Sequence, residues 1–334
     1  MDSLWEAMIR SLRAVESGVQ TCSIAWWIHR LDVNMRDNAT DHSAELDKLC
    51  HIISQLSNLS VLNFSFTDLG YRDVGLPRRL FQSTSTLACR DTLKYISWRN
   101  NDLLPSQADW TYFLQNHPRL ESVNAFCFVD RDSNISLDYL KMVYAYATPQ
   151  PDPPLRRYAE LWELDLPNVE SAIYIPFNNS GVSVVNQPFF ERLGWKLKTI
   201  RVDWIAERAQ ETERGQDLRL TFAEISRRCL HLERLDMALN SHHLVKVGRP
   251  DFPKGVRTLG IRLHPMQISR QAAMAMFSLL QDVLSLNPQV TIIRLLDYGN
   301  LRALRQTTLF QKNLQSLGTL GVEIQDPKCI QLRD

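Results

Sequence analysis

The chain lacks the patterns by which membrane and secreted proteins are most often recognised. No apolar stretch approaches the roughly 20 residues that a membrane-spanning helix needs, and Ile24–Ile28 is typical of the longest ones. The amino terminus carries Asp2, Glu6 and Glu16 and has no continuous apolar core, so it does not predict a secretory signal. The six cysteines include no CxxC pair, which favours a reducing compartment. We therefore expect a cytoplasmic or nuclear protein.

An excess of charge of one sign is missing too. The 38 basic and 37 acidic side chains give a formal net charge of +1, and no block of like charges stands out. Proteins that bind nucleic acid or anionic lipid usually carry a basic patch. We therefore expect neither a nucleic acid nor a membrane as a partner.

Catalytic and cofactor motifs are also absent. The sequence contains no GxGxxG, GxxxxGK[ST], HExxH, GxSxG or HRD motif. The adjacent histidines His242 and His243 have no acidic or cysteine companion at a ligand spacing, so they predict a solvated loop rather than a metal site. Cys50 and Cys229 lie at the ends of apolar helix stripes and are interpreted as buried structural thiols. We predict a protein that is not an enzyme and has no catalytic residue, metal or cofactor.

What the chain does contain is a recurring beat of three apolar residues. The second residue follows the first by three positions, and the third follows two positions later, as in LSVLNF at 59–64 and LERLDM at 232–237. The ten first positions are Ile28, Leu59, Leu93, Leu120, Leu161, Leu197, Leu232, Val256, Val290 and Leu317. Chance alone would give on the order of a dozen matches in a chain of this length. The mean spacing of about 32 residues, rather than the pattern itself, indicates a repeat.

Helices are predicted in most of the intervals between beats. The segment 41–55 places Leu46 and Leu49 on one helical stripe, with Asp41 or Ser43 as its cap. Further helices are predicted over 106–116, 136–146, 221–229 and 269–286, together with a short amphipathic helix at the amino terminus. Three intervals are irregular: a proline-rich connector at 148–154, a long excursion over 167–190 with a short helix ending near Leu193, and a loop without a helix after the beat at 232.

Alternating strands and helices in units of about 30 residues predict a leucine-rich-repeat solenoid of the α/β class. No single unit can bury both its strand and its helix, so neighbouring units must stack. Strands stack about 4.8 Å apart and helices about 8 to 10 Å apart, so the array should curve. We expect about ten degenerate repeats with a parallel sheet on the concave face and helices and loops on the convex face. Residues 1–20 are expected to form a capping helix and 21–334 a single repeat domain; a solenoid of helices alone is disfavoured by β-branched beats such as 290–295.

Strand alternation predicts which side chains face the concave opening. These are the residues on either side of the second beat and the residue after the third. The candidate partner-binding residues are Tyr95, Arg99, Phe126, Glu163, Asp165, Arg201, Asp203, Arg234, Asp236, Arg262 and Arg294. Two interpretations remain open: a solvated network in which charges neutralise each other across strands, and a partner site with arginine and aromatic hot spots.

Tryptophans on the beats are assigned to the core. Trp98 occupies a third beat and should be buried. One of Trp26 and Trp27 is expected in the core of the first repeat and the other near the end of the solenoid, as a cap rather than a partner anchor.

With these beats, the chain resembles the leucine-rich-repeat region of fungal F-box and F-box-like proteins over roughly residues 20–325. The opening Leu4–Ile9 is similar to the start of an F-box but lacks its proline, and no further F-box helices follow it. The resemblance implies a substrate-binding repeat region and, if a divergent F-box exists, a Skp-type adaptor that couples it to a cullin-type ubiquitin ligase. The alternatives are a leucine-rich-repeat regulator of a small GTPase, whose known examples have more regular repeats, and a plain scaffold subunit of a larger complex.

Overall fold

The computed structural model describes residues 2–35, 41–66, 75–85, 89–98, 103–146, 158–176, 185–203, 219–240, 252–264, 270–306 and 308–332. Over these ranges the protein is of the α/β class. The helices are α1 (Asp2–Glu16), α2 (His42–Ser54), α3 (Leu76–Thr84), α4 (Gln107–Asn116), α5 (Gln187–Leu193), α6 (Arg219–Arg228), α7 (Arg270–Leu286), α8 (Tyr298–Arg305) and α9 (Thr308–Thr319). The strands are β1 (Arg30–Met35), β2 (Val61–Phe66), β3 (Tyr95–Trp98), β4 (Ser122–Asn124), β5 (Phe128–Asp130), β6 (Met142–Tyr146), β7 (Tyr158–Glu160), β8 (Ser171–Ile175), β9 (Thr199–Val202), β10 (Arg234–Asn240), β11 (Thr258–His264), β12 (Ile292–Leu295) and β13 (Glu323–Gln325).

The chain divides into two compact units: Met1–Tyr144 with Asp152–Asn168, and Val169–Asp334 with Ala145–Pro151. In the first unit, parallel strands follow one another in the order β1, β2, β3, β4 and β6, and β5 pairs with β7 in a separate antiparallel sheet. In the second unit, β8 to β13 are parallel neighbours in sequence order. Parallel neighbours need a crossover connection, and most of these connections contain a helix. This order is compatible with a solenoid-like arrangement.

Aromatic side chains fill much of the core of the first unit. The ring of Phe81 in α3 lies 5.6 Å from that of Trp98, 4.9 Å from that of Trp110 and 4.4 Å from that of Phe113. The prediction that Trp98 is buried is confirmed, and its indole Nε1 donates to the carbonyl of Leu103 at 2.8 Å. Burial of tryptophan is favourable when this single polar group finds an acceptor.

In the second unit, the buried aromatic ring of Tyr174 on β8 fills part of the core. Its ring packs against those of Phe189 and Phe190 in α5, and its hydroxyl accepts a hydrogen bond from the backbone N–H of Asn186 at 2.9 Å. Asn186 in turn caps α5, because its side-chain oxygen accepts from the N–H of Phe189. One buried phenol thus connects a strand to the start of its neighbouring helix.

Most predicted helices are confirmed, and their caps explain their starts. The Asp41 carboxylate accepts from the N–H of Ala44 at the start of α2, and Ser106 forms a capping box with Asp109 at the start of α4. Helices α6 and α7 lie where helices were predicted, α5 ends at Leu193, and α1 occupies the amino terminus. No helix within the described ranges is both long and apolar enough to cross a membrane.

The helix predicted over 136–146 is wrong. Its second half forms strand β6, in which Val143 and Ala145 are buried while Met142 is half-buried. This alternation has the period of a strand, and the backbone N–H of Lys141 donates to the carbonyl of Glu121, which aligns β6 with β4.

The beat at 161–166 does not form a strand of the parallel sheet. Leu161–Glu163 forms a single 3-10 turn, closed by the N–H of Glu160 donating to the Glu163 carboxylate at 3.2 Å. The strand lies ten residues later, at β8, inside the segment predicted as a long excursion. The run Ser171–Ile175 is rich in isoleucine and almost wholly buried, which is typical of an interior parallel strand.

The last beat, at 317–322, is also displaced. Helix α9 continues through Thr319 and stops at Gly321, whose φ of +75° is a left-handed conformation that favours glycine. Strand β13 therefore begins only at Glu323, which pairs with Ile292.

The two adjacent tryptophans are not divided between core and surface. Trp26 and Trp27 lie in a 3-10 turn, Ile24–Trp27, and are 51% and 69% exposed. Ala25 is the residue of this turn that is buried. Small size, rather than hydrophobicity, decides which side chain enters here.

Some predictions lie outside the described residues. These are the connector at 148–154, the pair His242-His243 and most of the loop after 232. The expected boundary between a capping helix at 1–20 and one domain over 21–334 stays a prediction.

Candidate functional site

Each parallel strand has one face in the core, and on most of the strands the other face carries polar side chains. We call the second face the polar face. In the first unit it is defined by the residues that share the register of Arg30 and Asp32 on β1, and in the second unit by those that share the register of Arg234 and Asp236 on β10. The first row is Arg30, Val61, Tyr95, Ser122 and Met142 in the first unit, and Ser171, Thr199, Arg234, Thr258, Ile292 and Glu323 in the second. The second row is Asp32, Asn63, Ser97 and Asn124 in the first unit, and Ile173, Arg201, Asp236, Gly260, Arg294 and Gln325 in the second.

The register aligns the residues before and after the second beat on eight strands, and it does not do so at the beats that begin at Leu161 and Leu317. Glu163 was expected to face the concave opening, but it lies in the 3-10 turn. Asp165 is likewise off the parallel sheet and exposed. Glu163 instead pairs with Arg131, its Oε2 lying 2.6 Å from the arginine Nη2.

Two further predicted residues of the first unit are Tyr95, which lies on β3, and Phe126, which follows β4. The Tyr95 hydroxyl accepts from the side-chain amide of Asn124 at 3.2 Å. Phe126 is half-buried, and its ring packs edge-to-face on that of Phe128 at 4.6 Å. Arg99 lies outside the described residues.

The polar face of the first unit is mostly uncharged. Arg30 donates from Nε and Nη2 to the Asp32 carboxylate at 2.8 and 3.0 Å, and the hydrogen bond and the charge of Asp32 raise the pKa of Arg30. Beyond this pair the second row continues with amide and hydroxyl groups. Three polar atoms of this region are buried and have no hydrogen-bond partner among the described residues: Asn63 Oδ1, Ser97 Oγ and Ser122 Oγ.

The polar face of the second unit carries ion pairs. Arg234 donates from Nε and Nη2 to the Asp236 carboxylate at 2.8 and 2.7 Å, and Arg201 pairs with Asp203. Each pair joins residues i and i+2 of one strand or its extension, which point to the same side. Of the two interpretations left open, neutralisation across strands does not describe these two arginines, because each pairs with an aspartate two residues further along the chain.

Arg262 and Arg294 are held differently. Arg262 Nε lies 3.8 Å from Asp297 Oδ2, which is an ion-pair distance but longer than a hydrogen bond. Arg294 donates from Nε and Nη2 to the neutral side-chain oxygen of Gln325 at 3.2 and 2.8 Å. Neither arginine has a carboxylate two residues further on, because these positions are His264 and Leu296.

Gly260 is a residue of this face that sequence reasoning did not single out. It lies between Asp236 and Arg294 in the second row. A Cβ atom at this position would come within 2.8 Å of Asp236 Cγ, closer still to its Oδ1, and within 3.1 Å of Leu296 Cδ1. The side chain of Asp236 therefore reaches over Gly260, and the one signal in the sequence is a glycine inside a strand.

The described residues hold little reactive chemistry. Burial raises the pKa of Cys89 and of Cys229 to about 12, and raises that of Cys127 well above its ordinary value. These thiols are poor nucleophiles, because the thiolate is the reactive form. Cys229 is buried as predicted, whereas Cys50 is half-buried. Among the residues that the structure describes, no group of three potential metal ligands comes together.

No protein-family model matches the chain, and no curated protein matches it.

Proposed function

We propose that the chain is a leucine-rich-repeat solenoid that binds a protein partner on its polar face. The observation that carries the proposal is the register of the parallel strands, which places a row of polar and charged side chains on one side of the sheet in each unit. A solenoid of repeats presents such a row as an extended binding surface. Arginine and tyrosine are the residues most enriched among interface hot spots, and both occur in the row.

The proposed protein binds its partner in the cytoplasm or nucleus and has no catalytic activity, metal or cofactor. The raised thiol pKa values, and the pairing of the buried Asp236 and Glu224 carboxylates with arginines, favour recognition over chemistry. The repeat pattern also supports substrate recognition for a ubiquitin ligase as the biological setting. Regulation of a small GTPase and a scaffold role in a larger complex are the competing settings.

Affinity purification of the tagged chain, followed by mass spectrometry and gel filtration, tests the proposal. We expect a stoichiometric protein partner that remains bound to the wild type. Thr258→Arg places a long charged side chain in the first row and should remove the partner. Ser285→Arg adds the same side chain to an exposed position of α7 in the same unit and should not.

The outcomes separate the possibilities. Equal retention by Thr258→Arg and Ser285→Arg, with equal melting temperatures, would contradict binding on the polar face. Recovery of a Skp-type adaptor or a cullin together with the partner would support the ligase setting, and recovery of a small GTPase would support the regulatory one.

A further inference from the structure

Three arginines of the polar face are already neutralised by their own strands. Arg30, Arg201 and Arg234 are each followed two residues later by an aspartate that pairs with them. Residues i and i+2 of a strand lie about 6.6 Å apart on one side, so a long arginine side chain reaches the shorter aspartate. Arg30 and Arg234 have little to gain from an acidic group of a partner, because two donors of each are already bound to a carboxylate, whereas Arg201 keeps a buried Nε without a hydrogen bond among the described residues.

Arg262 and Arg294 depart from this arrangement. The carboxylate opposite Arg262 belongs to Asp297, whose Oδ1 is engaged as the cap of α8, accepting from the N–H of Asn300 at 3.0 Å. Its Oδ2 stays 3.8 Å from Arg262 Nε. The Asp297 carboxylate is thus divided between a helix start and an ion pair too long for a hydrogen bond.

Arg294 is connected to a carboxylate through the side-chain amide of Gln325. Its guanidinium donates to Gln325 Oε1, and Gln325 Nε2 donates to Glu323 Oε1 at 2.9 Å. A neutral acceptor gives a weaker hydrogen bond than a carboxylate, because charge-assisted bonds are roughly twice as strong. A carboxylate from outside the chain would therefore improve on the contact that Arg294 now makes.

The two arginines are close enough to act together. Gly260 pairs with Arg294 across β11 and β12, so Arg262 lies two residues along the neighbouring strand. Strand spacing and rise put their Cα atoms about 8 Å apart, within reach of one shared group for two arginine side chains. The flanking positions Ala238 and Leu296 carry no competing charge. Asp236, which reaches over Gly260, is committed to Arg234.

We propose that Arg262 and Arg294 together receive a side-chain carboxylate from an acidic segment of the protein partner. This inference rests on the proposed function and gives the partner a chemistry: an extended segment rich in aspartate or glutamate, seated at the β11–β12 end of the polar face. Electrostatic complementarity of this kind gives specificity and salt sensitivity.

Two fluorescein-labelled peptides of twelve residues test it, one with glutamate at alternate positions and one with glutamine there. By fluorescence anisotropy, the wild type should bind the glutamate peptide about tenfold more tightly, with an advantage that falls as salt is raised. The double variant Arg262→Gln, Arg294→Gln should bind both peptides equally. The double variant Arg302→Gln, Arg305→Gln removes the same charge from exposed positions of α8 and should keep the preference.

Two results would overturn the inference. One is a wild type that does not distinguish the peptides. The other is a control variant that loses as much affinity as the polar-face variant, since the effect would then come from net charge. If the purified partner is retained equally by Arg262→Gln, Arg294→Gln, the acidic contact is wrong while binding on the polar face stands. If the wild type retains no partner, the proposed function fails by itself.

Discussion

The same short motif behaves differently in the two units of the molecule. Arg30 and Asp32 in the first unit are 64% and 59% exposed at their side chains, whereas Arg234 and Asp236 in the second are 31% and 9% exposed. Both pairs are bidentate and have nearly equal distances. An exposed pair is worth little because water solvates both charges equally well, whereas a covered pair costs stability when one partner is removed. Burial, rather than geometry, therefore decides what the motif contributes.

The polar faces differ in a second respect. In the first unit the second row is formed largely by amides and hydroxyls, some of whose atoms are buried without a hydrogen-bond partner among the described residues. In the second unit half of the row is charged: Arg201 and Asp236 belong to ion pairs, and Arg294 donates to Gln325. The first unit thus carries mainly uncharged groups, and the second carries charged groups, one of which, Arg201, keeps a buried Nε without a hydrogen bond among the described residues. Stability measurements on matched variants can separate these two kinds of surface.

The largest effect is expected at Gly260. Gly260→Val adds a branched side chain where Asp236 and Leu296 already lie, so it should lower the free energy of unfolding by about 3 kcal/mol. Gly318→Ala in α9 is the control, since no atom lies within 4 Å of the added methyl group, and it should stabilise by about 0.5 to 1 kcal/mol. Urea denaturation of both variants measures this. If Gly260→Val left the free energy of unfolding unchanged, the side chain of Asp236 would not need the space beside Gly260.

The next effect compares the two arginine–aspartate pairs directly. Asp236→Asn should cost about 1.5 kcal/mol, because the half-buried Arg234 loses its ionic partner. Asp32→Asn removes the same group from the exposed pair and should cost less than about 0.5 kcal/mol. Equal losses, measured by urea denaturation at matched salt, would contradict the view that burial decides the contribution of this motif.

A smaller effect is expected from the unpartnered hydroxyl of the first unit. Ser97→Ala removes a buried Oγ that makes no hydrogen bond within the described residues, so stability should stay unchanged or rise by up to about 1 kcal/mol. Thr92→Val is the contrasting change in the same unit, because Thr92 Oγ1 donates to backbone carbonyls, including that of Leu59 at 3.0 Å. It should lose about 1 kcal/mol. Thermal melts of both variants suffice, and a clear loss in Ser97→Ala would reveal a partner for this hydroxyl.

The smallest effect concerns pH. Hydrogen bonds from Lys94 and Lys141 lower the pKa of Glu121 below its ordinary value of 4.5. The stabilisation is therefore present above about pH 4.5 and is lost as the pH falls further, through the lowered pKa of the folded state. Glu121→Gln should reduce the loss of stability below pH 4.5 by a few tenths of a kcal/mol. The effect is small because the site is largely exposed. Glu170→Gln in the second unit, where one lysine contacts the carboxylate, is the comparison. Identical acid limbs in wild type and Glu121→Gln would refute the role of the two lysines.

Much of the fold follows from local patterns. The beats located nine of the eleven strands of the parallel arrangement, although the last by a displaced register, and the helix stripes with their caps located α2 and α4 closely. The predictions from the sequence were wrong in two segments where two patterns overlap. Residues 161–166 carry both an apolar beat and a capping box. A 3-10 turn forms instead of a strand, because the backbone N–H of Glu160 finds an acceptor in the Glu163 carboxylate, three residues further on. At 142–146 a helical stripe and a strand alternation overlap, and pairing with β4 favours the strand.

The candidate site was predicted in part. Strand alternation predicts that Arg201, Arg234, Arg262 and Arg294 share one face, and the register confirms it. The partners of Arg262 and Arg294 were not predictable in the same way. Asp297 caps helix α8, and Gln325 lies on the displaced strand β13. Gly260 is required at its position because the side chain of Asp236 lies against it.

Three features can be read from the amino-acid sequence alone: the alternation of short strands and helices over most of the chain, the side of eight strands that faces the core, and the presence of an aspartate two residues after three of the arginines. These are local properties, set by the periods of strands and helices and by neighbours along the chain. Three other features depend on how the chain packs: which aspartate is covered, which arginine lacks a close carboxylate, and which strand follows β4. Those depend on residues some 20 to 35 positions away, brought together by packing and by hydrogen bonds between neighbouring strands.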